Sequence, residues 1–191
     1  MKKIFLLTVF TLTATLWANA QNFDKMQWFN EPESYTIRNG KLEMDVPAQT
    51  DYWRIAHYGF TVDDGPFLYT TVGGEFEAKI KVSGDYKVRF DQAGMMIRKD
   101  PSDWSVIELK EPIPFLWLKA VRRLDAIELY YSFDDKEYTM MRTLWMQDNC
   151  PLMVGPVAAC PDGQGFKAVF SHFKVKHLPD QRRVEWLMKN Q

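Results

Sequence analysis

The chain has 191 residues, with 24 Lys and Arg against 25 Asp and Glu, a net charge of −1 and 46% hydrophobic residues. So even a balance argues against nucleic acid or an anionic membrane surface as partner. The length suits one domain with a sizeable core, and no repeat, linker or low-complexity segment divides it.

The first twenty residues read as a bacterial export signal. Lys2 and Lys3 make a basic start, residues 4–17 are apolar and uncharged, and Ala18-Asn19-Ala20 puts small residues where a signal peptidase reads. Cleavage is expected after Ala20. The apolar run is too short to span a bilayer and no Cys follows it for lipid attachment. The expectation is therefore a secreted, periplasmic or cell-surface protein without a stable membrane span. Residues 21–178 are read as one β-sandwich domain and 179–191 as a tail.

Downstream, the apolar period is two. "SYTIR" and "KLEMDV" flank the turn "RNGK", and "PFLYTTV" follows. In "EFEAKIKVSG", Phe76, Ala78, Ile80 and Val82 face one way and Glu75, Glu77, Lys79 and Lys81 the other, as in a half-solvated antiparallel strand. "AGMMIR", "SVIEL" and "FLWLKAVRR" are further strands. In "AIELYYSFDDKEYTMM", Ile127, Leu129, Tyr131 and Phe133 alternate before the turn Asp134-Asp135-Lys136, with 138–141 returning as a hairpin partner. "LMVGPVA" and "FKAVFSHFKV" complete the set. Only the tail, "DQRRVEWLMKN", suits a short helix. Many short strands in one domain mean an all-β sandwich or barrel.

Cys150 and Cys160 flank a predicted strand. Ten extended residues span roughly 33 Å, whereas a disulfide needs Cα atoms within about 7 Å. Two free, buried thiols are expected unless that segment folds back on itself.

Several stretches resemble a single family. "FTVDDGPFLYTTVGGEFEAKIKVSGDYKVRFDQAGMMIR" carries most of the likeness, with "DYWRIAHYGF", "SDWSV", "LWLKAVRR" and "VGPVAACPDGQGFKAVFSHFKV". Together they resemble the regulation-of-enolase-like family of secreted domains of unknown function. That family is similar to the concanavalin A-like lectin/glucanase superfold and to the accessory domain at the C-terminus of some β-xylosidases. The resemblance covers roughly 28–175. It implies a jelly-roll β-sandwich of two antiparallel sheets, one with a concave face, and no established activity. The family's pattern has two more strands between the segments matching "GMMIRKD" and "SDWSV". Here Arg98 and Trp104 nearly adjoin, which predicts a narrower sheet or an exposed edge. Asp135 stands where the family often has Gly, and Asp tolerates the left-handed backbone a turn needs.

The densest chemistry is "TDYWRIAHYGF", residues 50–60. As a sugar platform, Trp53, Tyr52 and Tyr58 would supply ring faces, with Arg54 and His57 as polar handles. The competing reading buries Trp53 and Phe60 in the core and leaves only the Tyr hydroxyls wet. "RFDQAGMMIR" is the second candidate. Asp91 and Gln92 precede Ala93 and Gly94, whose small side chains admit a ligand or another backbone. Alternatively Asp91 pairs with Arg98 or Arg89 to pin the sheet. A lectin-like fold predicts Asp91 and Gln92 near the same face as Trp53 and His57. Trp104, beside the shortened segment, is a candidate for the rim, whereas Trp117 reads as core.

Glucanases of the superfold carry inward-alternating carboxylates, because glycoside hydrolysis needs an acid and a second carboxylate at fixed separation. "EFE", "FDDKE" and "VDDG" are an outward face and two turns. The three His lack metal-ligand spacing. No cofactor is expected. A structural Ca²⁺ on the loop acids Asp51, Asp63, Asp64 and Asp85 is the lesser alternative to solvated carboxylates. The sequence thus favours an exported, non-catalytic carbohydrate-binding module with a glycan as partner. The alternatives are a glycoside hydrolase or accessory domain of one, and a structural or protein-interaction domain.

Overall fold

Alternation decides where the strands go, and burial decides how they stack. The computed structural model describes residues 22–109, 113–147, 150–180 and 183–189, so the expected export signal lies outside the described residues. After a 3₁₀ turn at Phe23–Lys25 come β1 (Gln27–Phe29), β2 (Tyr35–Arg38), β3 (Lys41–Val46), β4 (Tyr52–Arg54) and β5 (Thr61–Asp63). The long strands follow: β6 (Phe67–Val72), β7 (Phe76–Gly84), β8 (Gln92–Asp100), β9 (Asp103–Leu109) and β10 (Leu116–Arg123). Then come β11 (Ala126–Ser132), β12 (Thr139–Trp145), β13 (Leu152–Ala159), β14 (Phe166–His177) and the short helix α1 (Arg183–Lys189).

These form two antiparallel sheets and a separate hairpin. The first sheet runs β1-β6-β13-β8-β9, the second β12-β11-β10-β7-β14-β3-β2, and β4 pairs only with β5. The first sheet is the narrower, and β9, which follows the shortened segment, is its edge. β2 and β3 are closed by Asn39 and Gly40, both at positive φ as a two-residue hairpin turn requires. Asp135 turns the β11–β12 connection at φ 63°.

The core lies between the sheets. Phe76, Ala78, Ile80 and Val82 of β7 are fully buried, facing Ala93, Met95 and Ile97 of β8 and Val154 of β13. Each large side chain so buried contributes about 1.5–3 kcal/mol. Glu75 departs from its expected outward face, since it is buried and ion-paired to Arg123 at 2.6 Å. In β14 the alternation Phe166, Ala168, Phe170 resumes at Phe173 and Val175. A bulge between Ser171 and Lys174, with His172 at φ 55°, absorbs the odd residue and keeps Phe173 inside, stacked on Phe23.

β8 is buried on both faces from Gln92 to Arg98. Its inner face meets the core, and its outer face is covered by something else. Tyr52 of β4 packs there with Phe67, Met96 and Val157, a second apolar cluster on the outside of the five-stranded sheet. The β4–β5 hairpin is therefore a wall standing on that sheet. Both cysteines are free: Cys160 is buried, and Cys150, expected to be buried, is half-buried.

Candidate functional site

The floor of the candidate site is the outer face of the five-stranded sheet. Register places Ala159 beside Gln92, and Val157, Gly94 and Glu108 in one row. A Cβ on Gly94 would lie 2.0 Å from the Ile107 carbonyl oxygen. The small residue that sequence reading left open to a ligand or a backbone thus admits a backbone, β9. Small side chains here leave a cleft of about 300 Å³. Trp104, Val106 and Glu108 of β9 line one side, Asp51, Tyr52 and Trp53 the other, and Arg142 reaches in from β12.

The wall is held at its base by charge. Both Arg98 terminal nitrogens donate to the Asp63 carboxylate, at 2.5 and 2.6 Å, and the guanidinium sits 4.4 Å from the Phe29 ring centre. Burial opposes the charge on Arg98, but the hydrogen bonds and attraction from Asp63 outweigh it and raise its pKa. The Tyr52 hydroxyl donates to the Gly65 carbonyl at 2.5 Å, and burial pushes its pKa upward. The Asp51 amide donates to Asp64, and Asn30 donates to the carbonyls of Asp63 and Gly65. Gln92 Nε2 reaches the Asp51 carboxylate at 3.2 Å, joining floor to wall.

The free end of the wall is aromatic. Trp53 lies 5.6 Å from Tyr58 and 6.2 Å from Phe60, and Tyr58 stacks on Phe60 at 5.9 Å with planes 17° apart. Trp53 Nε1 donates to the Ala56 carbonyl at 2.8 Å, which fixes the indole. On the far side of Trp53 is a second hollow of about 560 Å³, lined by Tyr58, Phe60, Val62 and Phe90 with Gln49 and Asp162.

The residues singled out in the sequence divide into three groups. Trp53, Gln92 and Trp104 meet around the cleft, and Tyr58 lines the adjoining hollow. Arg54 and His57 line neither hollow: Arg54 donates to the Pro101 carbonyl of the β8–β9 turn at 3.3 Å, and His57 packs edge-on against Tyr58 on the hairpin. Asp91 is fully buried beneath the site. One of its oxygens accepts the Lys87 and Val88 amides, at 2.7 and 3.0 Å, and the other accepts the Cys160 thiol at 3.0 Å. Asp91 pins a loop, and Arg98, considered as its partner, belongs to Asp63 instead. Burial, then the Asp91 contact, pushes the Cys160 thiol up.

Phe90, Glu108 and Arg142 also line the cleft and were not singled out, and Asp51, considered only for Ca²⁺, joins them. Glu108 was within reach, because period two places it on the face of Trp104 and Val106 in "DWSVIEL". Arg142 was not, because it comes from the edge of the other sheet. Three of the four loop acids considered for Ca²⁺ are engaged in the wall, Asp63 with Arg98, and Asp64 and Asp51 as described; Asp85 lies apart in the β7–β8 loop, its amide donating to the Lys167 carbonyl. Among the described residues there is no cluster of three or more potential metal-ligating side chains. Rings with fixed amide, carboxylate and guanidinium groups suit a ligand that has both apolar faces and hydroxyls.

Similarity to known proteins agrees with this architecture. Regulation of enolase protein 1 of Saccharomyces cerevisiae is 29% identical over 173 residues, covering 78% of this chain and 87% of that protein. A crystal structure of a functionally unknown protein from the same yeast superposes with a TM-score of 0.75 at 27% identity, over 83% of this chain and 99% of that one. The GH43 BlXynB protein of Bacillus licheniformis superposes at 0.60 with 16% identity, over 82% of this chain and 39% of that one. Lectin I-B4 of Griffonia simplicifolia, in its metal-free form, superposes at 0.51 with 9% identity, over 84% and 95% of the respective chains. The last two likenesses concern the fold alone, a concanavalin A-like jelly-roll sandwich. The family profile matches in two stretches, 28–104 and 98–178, which meet at the β8–β9 turn where the sequence is short. On that match the chain belongs to the family described as protein of unknown function (DUF1349).

Proposed function

We propose that the protein is an exported, non-catalytic module that binds carbohydrate in the cleft between the β4–β5 hairpin and the outer face of the five-stranded sheet. One observation carries the reading: Trp53 and Trp104 stand around a hollow that Gln92, Asp51, Glu108 and Arg142 also line. Sugar rings present C–H faces that pack on aromatic rings, and their hydroxyls need donors and acceptors at fixed positions. The lectin and GH43 likenesses support the fold as one suited to sugars, and the basic-apolar-small pattern of residues 1–20 supports export.

A glycan array on the purified protein tests it. The expected result is binding to a restricted glycan set, reduced at least tenfold by Trp53→Ala or Gln92→Ala with the melting transition retained. Absence of binding to every glycan overturns the reading. Export is checked by intact mass of the protein recovered outside the cytoplasm, which should begin at Gln21.

A glycoside hydrolase is the second reading, because two carboxylates, Asp51 and Glu108, line one cleft. Against it, Asp51 Oδ1 already accepts the Tyr52 amide and the Gln92 amide group. Aryl-glycoside substrates should show no turnover, and turnover abolished by Glu108→Gln would establish the hydrolase instead.

A further inference from the structure

The cleft over the sheet and the hollow beside the hairpin are not separate. They share Asp51, Trp53 and Phe90, so they adjoin, with Trp53 at their junction. The hollow's far side is a strip of ring surface, because Tyr58 and Phe60 lie nearly parallel and both are tilted against Trp53. Tyr58 is 66% exposed and Phe60 46%. Contiguous exposed apolar surface rimmed by polar groups marks a place where something docks.

The tip that carries this strip is also held in an uncommon backbone. Ile55 is at φ 57° and His57 at φ 63°. A β-branched residue in the left-handed region is strained and persists only where its surroundings enforce it. Here the Gly59 amide donates to the Ile55 carbonyl, the Ile55 amide to the Phe60 carbonyl, and the Trp53 indole to Ala56. The backbone that carries the rings, and the Trp53 indole, are therefore set in place before any ligand arrives.

Polar groups recur along the whole length. Gln92 and Glu108 serve the sheet end, Asp51 the junction, and Gln49 and Asp162 the hairpin end. A purely apolar chain laid along this path would strip those groups of water without replacing their hydrogen bonds. A single sugar ring would occupy one hollow and leave the other empty. We propose that the occupant is an extended oligosaccharide of at least two units, one ring over the sheet floor and the next on the Tyr58–Phe60 strip, crossing at Trp53. This rests on the carbohydrate reading above and adds the length of the ligand and a second subsite. Because the first unit already bears the entropy of association, each added unit contributes mostly favourable contact.

Calorimetric titration with xylo-, cello- and manno-oligosaccharides of one to four units, alongside the glycan array, tests the proposal. The expected result is at least a tenfold gain in affinity from one unit to three in the series that binds. Tyr58→Ala and Phe60→Ala should shrink the ratio of three-unit to one-unit affinity, and Gln92→Ala should weaken all lengths alike. Both aromatic positions are on the surface, and an unchanged melting transition verifies the fold. A series in which one unit binds as tightly as three, or a ratio untouched by Tyr58→Ala and Phe60→Ala, overturns the proposal and leaves the carbohydrate reading standing. A protein that binds no glycan of any length, on the array or in solution, overturns both.

Discussion

Arg98 is 1% exposed, and its charge is answered by one carboxylate on a different element, Asp63. Removing one partner of such a pair leaves the other charge buried, which costs about 3–5 kcal/mol. Asp63→Ala should fall near the lower end of that range in urea denaturation, since Asp63 itself is partly exposed. Combining it with Arg98→Met should recover most of the loss. A double variant no better than the single one would mean that the pair does more than neutralise charge. Burial raises the pKa values of Tyr86, Tyr130 and Tyr138, and Tyr52 and Cys160 contribute to the alkaline limit beside them. Both pKa values are raised, mainly by burial, so their stabilising share is complete below the ordinary values of about 8.5 for a thiol and 10 for a tyrosine. It is lost as pH rises through the folded-state values. Urea midpoints should hold between about pH 6 and 8 and decline above about 9, with Tyr52→Phe declining less steeply above about pH 10; an identical decline in the variant there contradicts the assignment.

At the scale of elements, the β4–β5 hairpin is the piece whose placement matters most and whose sequence says least. Three-residue strands such as "YWR" and "TVD" are too short for alternation to register, and Asp63 finds its partner 35 residues away. The β7 stretch, by contrast, was legible because nine alternating residues admit only one inward face. Gln92 and Trp104 were legible as candidates, whereas the role of Asp91 was not, since its partners are two backbone amides, which carry no sequence signal, and a thiol 69 residues away. If the hairpin stands on the sheet through Arg98, amide exchange in Asp63→Ala should rise more over residues 50–63 than the increase that β7 and β14 share through the lowered global stability; equal acceleration everywhere would show instead that the hairpin has no opening of its own. Between β8 and β9 the backbones approach too closely for a side chain at Gly94. Gly94→Ala should therefore cost about 1–3 kcal/mol or more by overpacking, read as a lowered melting temperature, and an unchanged temperature would contradict that close approach.

At the scale of the whole molecule, the two sheets make a stable body, and the narrower one leaves room on its outer face for a wall and a cleft. If the protein takes carbohydrate, it takes it in this cleft. An amide NMR titration with the glycan giving the strongest array signal tests it most directly. Shifts should gather at residues 51–53, 92–94, 104–108 and 157–159, with the indole signals of Trp53 and Trp104 among the largest. Shifts gathered around Trp117 on the outer face of the seven-stranded sheet, with the cleft silent, would contradict the account.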